Sequence, residues 1–313
     1  MKVKRFRWRQ CVADLLAQLG TPVLSRLPLR VLYPLSRIVA MVAYRILNRD
    51  RNRALLHLRL AYQDRLSAHR MHLITKGMFN HLARLGAECL SLYTQPSEKI
   101  WNRIQIDRPQ ILRDALAKGR GLVILTAHLG NWEYLAAELF HSGFTGLVLS
   151  RKVRSAAFQA LVEKWRKKLG ILEWHTHSSV KPLLGCLRKN VCIGVLNDQD
   201  LEKAEGIFVD FFGIPAFTPR FVSELSYKTG APMAPCLAVR RKNKTHLIKI
   251  YPVIEPREGE DREDYAVRSQ KEYASILEKT IRHHPTQWVW FHKRWKTRPK
   301  VTVSRCLVPY PTP

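Results

Sequence analysis

His128 and Glu133 place an imidazole and a carboxylate five positions apart in the run Thr126-Ala127-His128-Leu129-Gly130-Asn131-Trp132-Glu133. A carboxylate that orients an imidazole makes a general base able to strip a proton from a hydroxyl. On a continuous helix five positions span about 500°, roughly 140° apart around the axis, too far for the side chains to meet. A break at Gly130 removes that restriction. The same residues also fit a loop histidine beside an acid that starts a helix, and spacing alone leaves both readings open.

The elements that would position the pair lie on either side of it. Gly121-Leu122-Val123-Ile124-Leu125 is apolar and reads as a buried strand. Residues 132–140 read as a helix, with Asn131 as its N-cap. His128 then sits at the strand's exit and Glu133 in the first helical turn, where the helix dipole favours an ionised carboxylate. Upstream, the chain reads as helical to about residue 105, with leucines at helical spacing over 51–66 and 69–93. Downstream, strands are expected at 146–150, 191–196, 232–239 and 245–254, and a last short one at 287–291. Helices are expected at 156–169, 180–189, 221–229 and 264–283. This alternation predicts an α/β fold, a largely parallel or mixed sheet flanked by helices, behind an all-helical basic N-terminal region. Sites in such sheets gather at the carboxyl ends of strands. His128, Arg151, Asn197-Asp198 and His292 fall there.

Composition narrows the partners. The 313 residues carry 53 Lys+Arg against 25 Asp+Glu, a net charge of +28. That excess points to nucleic acid, an anionic membrane surface or a phosphorylated substrate. No nucleic-acid reading motif accompanies it. P-loop, dinucleotide and nucleophile-elbow patterns are also absent from the sequence. The six cysteines are scattered without metal-type pairs, which suggests no disulfide framework and a reducing compartment. His175 with His177, and His283 with His284, lack a third ligand at metal spacing, so no metal site is expected.

At the N-terminus Lys2, Lys4, Arg5, Arg7 and Arg9 precede the apolar stretch 15–24, and a second stretch, 38–44, lies between Arg37 and Arg45. Each is shorter than the roughly 20 apolar residues that span a bilayer. Interfacial binding fits residues 1–50; a helical subdomain packed on the core fits them equally. Residues 51–313 form the remaining domain, helical to about 105 with an α/β core over about 106–297. Arg151 is either a phosphate clamp or a surface cation. Asn197-Asp198-Gln199-Asp200 would hold a divalent cation, orient a base, or simply end a strand. The stretch 207–219, with Phe208, Phe211, Phe212 and Phe217, would line a channel for a hydrocarbon chain or pack in the core.

In this order the stretches resemble the bacterial lipid A biosynthesis acyltransferases, which add secondary lauroyl or myristoyl chains. The resemblance rests on His128-Leu-Gly-Asn-Trp-Glu133, Arg151, residues 197–200, Phe211-Phe212-Gly213 with Pro215, Ala216 and Thr218, Thr229-Gly230-Ala231-Pro232, and Gln287-Trp288 with His292, Arg294 and Lys296. It covers about 110–297. The wider glycerolipid acyltransferases share the His-x4-Asp/Glu motif but usually carry Pro-Glu-Gly-Thr where this chain has residues 197–200. The resemblance implies an enzyme at the cytoplasmic face of a bacterial inner membrane, working without a cofactor. It would move a fatty acyl group from acyl carrier protein to a hydroxyl of an anionic Kdo-bearing lipid A precursor. His128 would be the base and Glu133 its orienting partner. Arg151, Asn197, Asp198, Asp200 and Arg294 are the expected substrate-binding residues, and the four phenylalanines the expected acyl channel. The rival readings are an acyl-coenzyme A-dependent enzyme acting on a phospholipid or glycolipid and, more distantly, a basic nucleic-acid binder.

Overall fold

A computed structural model describes residues 20, 23–63, 65–94, 98–150, 156–175, 181–201 and 204–299. From Leu29 onward the chain runs through helices α1 (Leu29–Ile46), α2 (Asn48–Tyr62) and α3 (Ala68–Thr94), then the short α4 (Glu98–Trp101). The chain continues through β1 (Ile104–Asp107), α5 (Gln110–Ala117), β2 (Leu122–Thr126), α6 (Trp132–His141), β3 (Gly146–Ser150), α7 (Ala156–Lys168), β4 (Leu172–His175), α8 (Lys181–Arg188) and β5 (Cys192–Leu196). It closes with β6 (Gly206–Phe211), β7 (Ile214–Pro219), α9 (Phe221–Thr229), β8 (Met233–Arg240), β9 (His246–Ile250) and α10 (Arg262–His283).

Seven strands form one sheet in the order β1-β9-β8-β2-β5-β3-β4. β8, β2, β5, β3 and β4 run parallel, while β9 pairs antiparallel to β8 and parallel to β1. The fold is therefore mixed α/β behind an N-terminal helical region. Central position explains the composition of β2: with β8 and β5 on its flanks and helices over both faces, all five of its residues are buried. Its side chains alternate between two cores. Val123 and Leu125 join α10, α9 and α8 through Tyr273, Leu225 and Leu187. Leu122 and Ile124 join α6 and α5 through Leu135, Leu139 and Leu112.

Two expectations fail here. Residues 287–291 are not a strand: a 3-10 turn at Pro285–Gln287 leads to a single bridge between Leu129 and Trp288. Trp288 and Trp290 are fully buried, and the chain turns back at once, with His292 N–H donating to the Val289 carbonyl. The second is the apolar connection at 207–219, which is an antiparallel hairpin, β6 with β7, joined by Phe212-Gly213. Both turn residues have positive φ, 58° and 75°, as a two-residue type I′ turn requires. Phenylalanine is a poor choice for that conformation. Here burial holds it: the Phe212 ring packs on Tyr62, Phe211 and Trp290, and its N–H donates to Glu278 Oε2 at 2.7 Å.

Candidate active site

The turn between β2 and α6 carries His128. Gly130 adopts φ +60°, and a Cβ there would collide with the Ala238 carbonyl of β8. The turn is thus pressed against the sheet and needs glycine. Asn131 caps α6, accepting from Tyr134 N–H at 3.0 Å, as its position in the sequence suggests.

A buried polar cluster fixes this turn from beneath. Glu88 of α3 accepts from Asn131 Nδ2 at 2.8 Å and from Arg240 at 3.1 and 2.6 Å. His81 bonds the Gly130 carbonyl at 3.0 Å through Nε2, and Arg240 donates to its other nitrogen. Burial, then the neighbouring Arg240, pushes His81 well below its ordinary pKa, so the ring is neutral and Nε2 carries the donated proton. No local pattern in the sequence pairs residues 88 and 240 across 152 positions.

The imidazole's carboxylate partner is Asp198, at the carboxyl end of β5. His128 Nδ1 lies 2.8 Å from Asp198 Oδ1. The second oxygen accepts from the His128 backbone N–H at 2.9 Å and from the Trp288 indole at 2.9 Å. The Asp198 side chain is 0 % exposed and that of His128 18 %. Burial on its own would raise the Asp198 pKa; the His128 charge and hydrogen bond, then His292 and Trp288, hold it below the ordinary carboxylate range. An ionised Asp198 fixes the proton on Nδ1 and leaves the Nε2 lone pair as the base. Trp132 stands edge-on to the ring at 5.1 Å and His292 perpendicular to it at 4.5 Å. His292 is pushed down to about 4, by burial first and then by His128, so it is neutral and accepts from Gln199 Nε2 at 3.1 Å.

Glu133 does not meet His128. It forms a bidentate pair with Arg166 of α7, at 2.7 and 3.2 Å, and Arg166 also reaches Glu173 of β4 at 3.1 Å. The expectation that Glu133 orients the base is corrected on geometry: the first turn of α6 aims its side chain across to α7, and the end of β5 supplies the carboxylate instead. His128, Asp198 and His292 bring three ligand-type groups within 4.8 Å of one another. Asp198 already accepts three hydrogen bonds, and Gln199 occupies His292 Nδ1. The arrangement can hold and pass a proton.

The other expected site residues separate. Asn197 is buried and donates to Gln270 Oε1 of α10 at 2.8 Å. Asp200 accepts from the backbone and hydroxyl of Thr297 at 2.6 and 2.9 Å. Both border the cavity beside His128. Arg294 does not: it is 3 % exposed and donates to the Phe217 carbonyl and the Thr218 hydroxyl, tying the C-terminal segment to β7. Burial lowers its pKa to about 10 against the pull of Asp198 and Asp200. Arg151 lies outside the described residues. The four phenylalanines line a different part of the molecule from the cavity. Phe211 and Phe212 are core, and Phe208 meets Phe217 edge-on along the hairpin at 5.4 Å.

That cavity, about 1520 Å³, reaches from Ser150 and Leu196 at the carboxyl ends of β3 and β5 to Gly146 and Cys192 at their amino ends. Four residue steps of strand make it about 13 Å long at least. Leu135 and Leu139 of α6 and Val162 and Trp165 of α7 form its apolar roof, with Gly194 in its floor. It exceeds the roughly 300–1,000 Å³ of ordinary small-molecule pockets. His128, at the exit of β2, stands at the end where β3 and β5 have their carboxyl termini, and Arg220 and Lys296 also line the cavity.

Comparison with known proteins gives the family. Residues 2–297 match the family model described as bacterial lipid A biosynthesis acyltransferase. The lipid A biosynthesis lauroyltransferase of Escherichia coli is 24% identical over 283 residues, 90% of each chain. The palmitoleoyltransferase of the same organism is 22% identical, over 88% of each chain. A phosphatidylinositol mannoside acyltransferase of Mycobacterium tuberculosis is 28% identical over 195 residues, 58% of this chain and 56% of its own. The family match spans nearly the whole chain: the chain is an O-acyltransferase and belongs to the bacterial lipid A biosynthesis acyltransferases.

Proposed function

We propose that the protein transfers a fatty acyl group from acyl carrier protein to a hydroxyl of a Kdo-bearing lipid A precursor, at the cytoplasmic face of the inner membrane. The observation that carries this reading is the His128–Asp198 pair at one end of a long apolar cavity. The acyl chain lies in the cavity between α6, α7 and the β3–β5 floor, with its thioester carbonyl next to His128. Nε2 of His128 takes the acceptor's hydroxyl proton as the oxygen attacks that carbonyl. Asp198 stabilises the imidazolium. Collapse of the tetrahedral species expels the donor's sulfur, which receives the proton back from His128, so a new ester and a free thiol form with no covalent enzyme intermediate. The net charge of +28 suits an acidic donor protein and a phosphorylated acceptor.

The similarity to a mycobacterial phosphatidylinositol mannoside acyltransferase favours one second reading, a glycolipid acceptor, and acyl-coenzyme A is the alternative donor to test with it. Purified enzyme is offered acyl carrier protein or coenzyme A thioesters, with a tetra-acylated Kdo-lipid A precursor or a phosphatidylinositol mannoside, and products are weighed by mass spectrometry. The proposed reading expects one added acyl group on the lipid A precursor from acyl carrier protein. Acylation of the mannoside alone would replace it.

A further inference from the structure

A second groove, about 1040 Å³, lies between α1 and α3, away from His128. Its described lining includes five cations, Arg37, Arg45, Lys76, Arg84 and Lys244, and no acidic side chain. Lys76 and Lys244 stand over the Tyr44 and Tyr33 rings, at 5.6 and 5.3 Å. In the groove wall, Arg84 Nε and Asn80 Oδ1 are buried without a hydrogen-bond partner. Buried donors are normally met, so Arg84 calls for an external acceptor.

The surface next to the groove is apolar. Val31, Leu35, Ile38, Val39, Val42 and Ile46 recur along α1 at helical spacing and are 37% to 68% exposed. The opposite side of α1, with Leu32, Tyr33 and Ala40, is buried. The helix thus has a core-facing side and an outward apolar stripe, with Arg37 and Arg45 at the groove edge. Among the described residues no helix is long and apolar enough to cross a membrane. Apolar residues and cations side by side on one helix match a bilayer interface, acyl chains below and phosphates above.

We propose that α1 lies in the plane of the bilayer with this stripe among the lipid tails, and that the groove beside it seats the phosphate of an anionic phospholipid. Guanidinium and ammonium groups bind such a phosphate through charge-assisted hydrogen bonds. This lipid site is separate from the acyl acceptor's and would keep the reaction centre at the surface where its substrate resides.

Full-length protein is tested by flotation with vesicles of phosphatidylglycerol and phosphatidylcholine. Three basic residues near an anionic surface account for about a hundredfold in binding, so R37Q/R45Q/K76Q should bind about that much more weakly. The control K189Q/K271Q/K279Q removes equal charge from surfaces elsewhere and should lose less than a tenth as much. Equal losses would reduce the effect to net charge and overturn the proposal. Ile38→Asp with Val42→Asp should weaken binding even to phosphatidylcholine alone; unchanged binding would refute the stripe. Excess inorganic phosphate should compete no better than sodium chloride of equal ionic strength, and stronger competition would identify a free-phosphate site instead. Normal vesicle binding by R37Q/R45Q/K76Q with a raised KM for an acidic donor protein would make the groove a protein-docking surface and refute the lipid. Turnover in detergent should survive the three substitutions. An inactive wild-type enzyme would refute the proposed reaction while leaving the vesicle result to stand on its own.

Discussion

Glu133 lines the cavity, and Asp198 is buried behind the cavity-lining His128; the two carboxylates are 11 % and 0 % exposed and have different partners. Asp198 faces an imidazole, a group that can take up a proton and give it back. Glu133 faces a guanidinium, which does not. In the proposed reaction the same side-chain chemistry therefore serves proton transfer at the end of β5 and shape at the start of α6. Glu133 and Glu173 hold Arg166, and with it α7, against the sheet where the apolar roof passes over β3 and β5.

Substitution of the two pairs should separate these roles. In folded protein His128→Ala should lower kcat by about 10²–10⁴-fold, the usual size of a general-base contribution. Asp198→Asn should fall within the same range, because an amide in place of the carboxylate no longer holds the Nδ1–H tautomer. Turnover by single-turnover kinetics is the readout, and near-normal kcat in either variant would break the proposed pair.

A smaller change should reach the shaping wall without touching either carboxylate. Gly194 is in the cavity floor, and a Cβ there would first meet Val148 Cγ1 at 3.4 Å. Gly194→Val fills part of the acyl path. It should lower kcat/KM for long-chain donors by about tenfold relative to short ones, the scale on which pockets distinguish methylenes. An unchanged chain preference would place the acyl group elsewhere.

Glu133→Gln is the sharpest contrast. It leaves Arg166 with Glu173 only, and the damage should register chiefly in stability, up to about 3 kcal/mol as for a buried ion pair that loses one partner. Denaturant unfolding measures this. Turnover of the folded fraction should drop by less than about tenfold, well short of a general-base loss. A loss equal to that of Asp198→Asn, in protein of normal stability, would mean that Glu133 reaches the imidazole during the reaction.

Acid should act on folding stability, and by degrees. His57 and His292 are both pushed down to about 4 by burial and are neutral in the fold. The unfolded chain takes up protons on them near pH 6.5, whereas the folded chain does so only near pH 4. Folding stability should therefore fall as pH drops from 6.5 to 4, by up to about 1.4 kcal/mol per pH unit for each ring. Asp198, held below its ordinary range, keeps its contribution throughout this window and loses it only at lower pH. Denaturant unfolding across the window checks the slope, and His57→Phe should make it shallower.

What the sequence revealed follows from how local each signal is. The strand before His128, the cap at Asn131 and the helices expected at 221–229 and 264–283 depend on periodicity and capping within a few residues, and all are present, the last from Arg262. The hairpin at 206–219 escaped because its turn is Phe212-Gly213, where a buried ring replaces the usual asparagine. The partner of His128 escaped for a different reason. Glu133 is 5 positions away and Asp198 is 70, yet parallel pairing of β2 with β5, Thr126 opposite Leu196, brings the distant residue alongside. Arg294 was misjudged as substrate-binding because a cation's burial is not written in its neighbours; only the fold places it under β7.

The most direct test of the account is a double-mutant cycle on His128 and Asp198, read as single-turnover kcat in folded protein. If Asp198 acts only by holding His128 in its basic tautomer, His128→Ala combined with Asp198→Asn should be little slower than His128→Ala alone. If the two losses instead multiply, Asp198 acts independently of the imidazole and the proposed relay is contradicted.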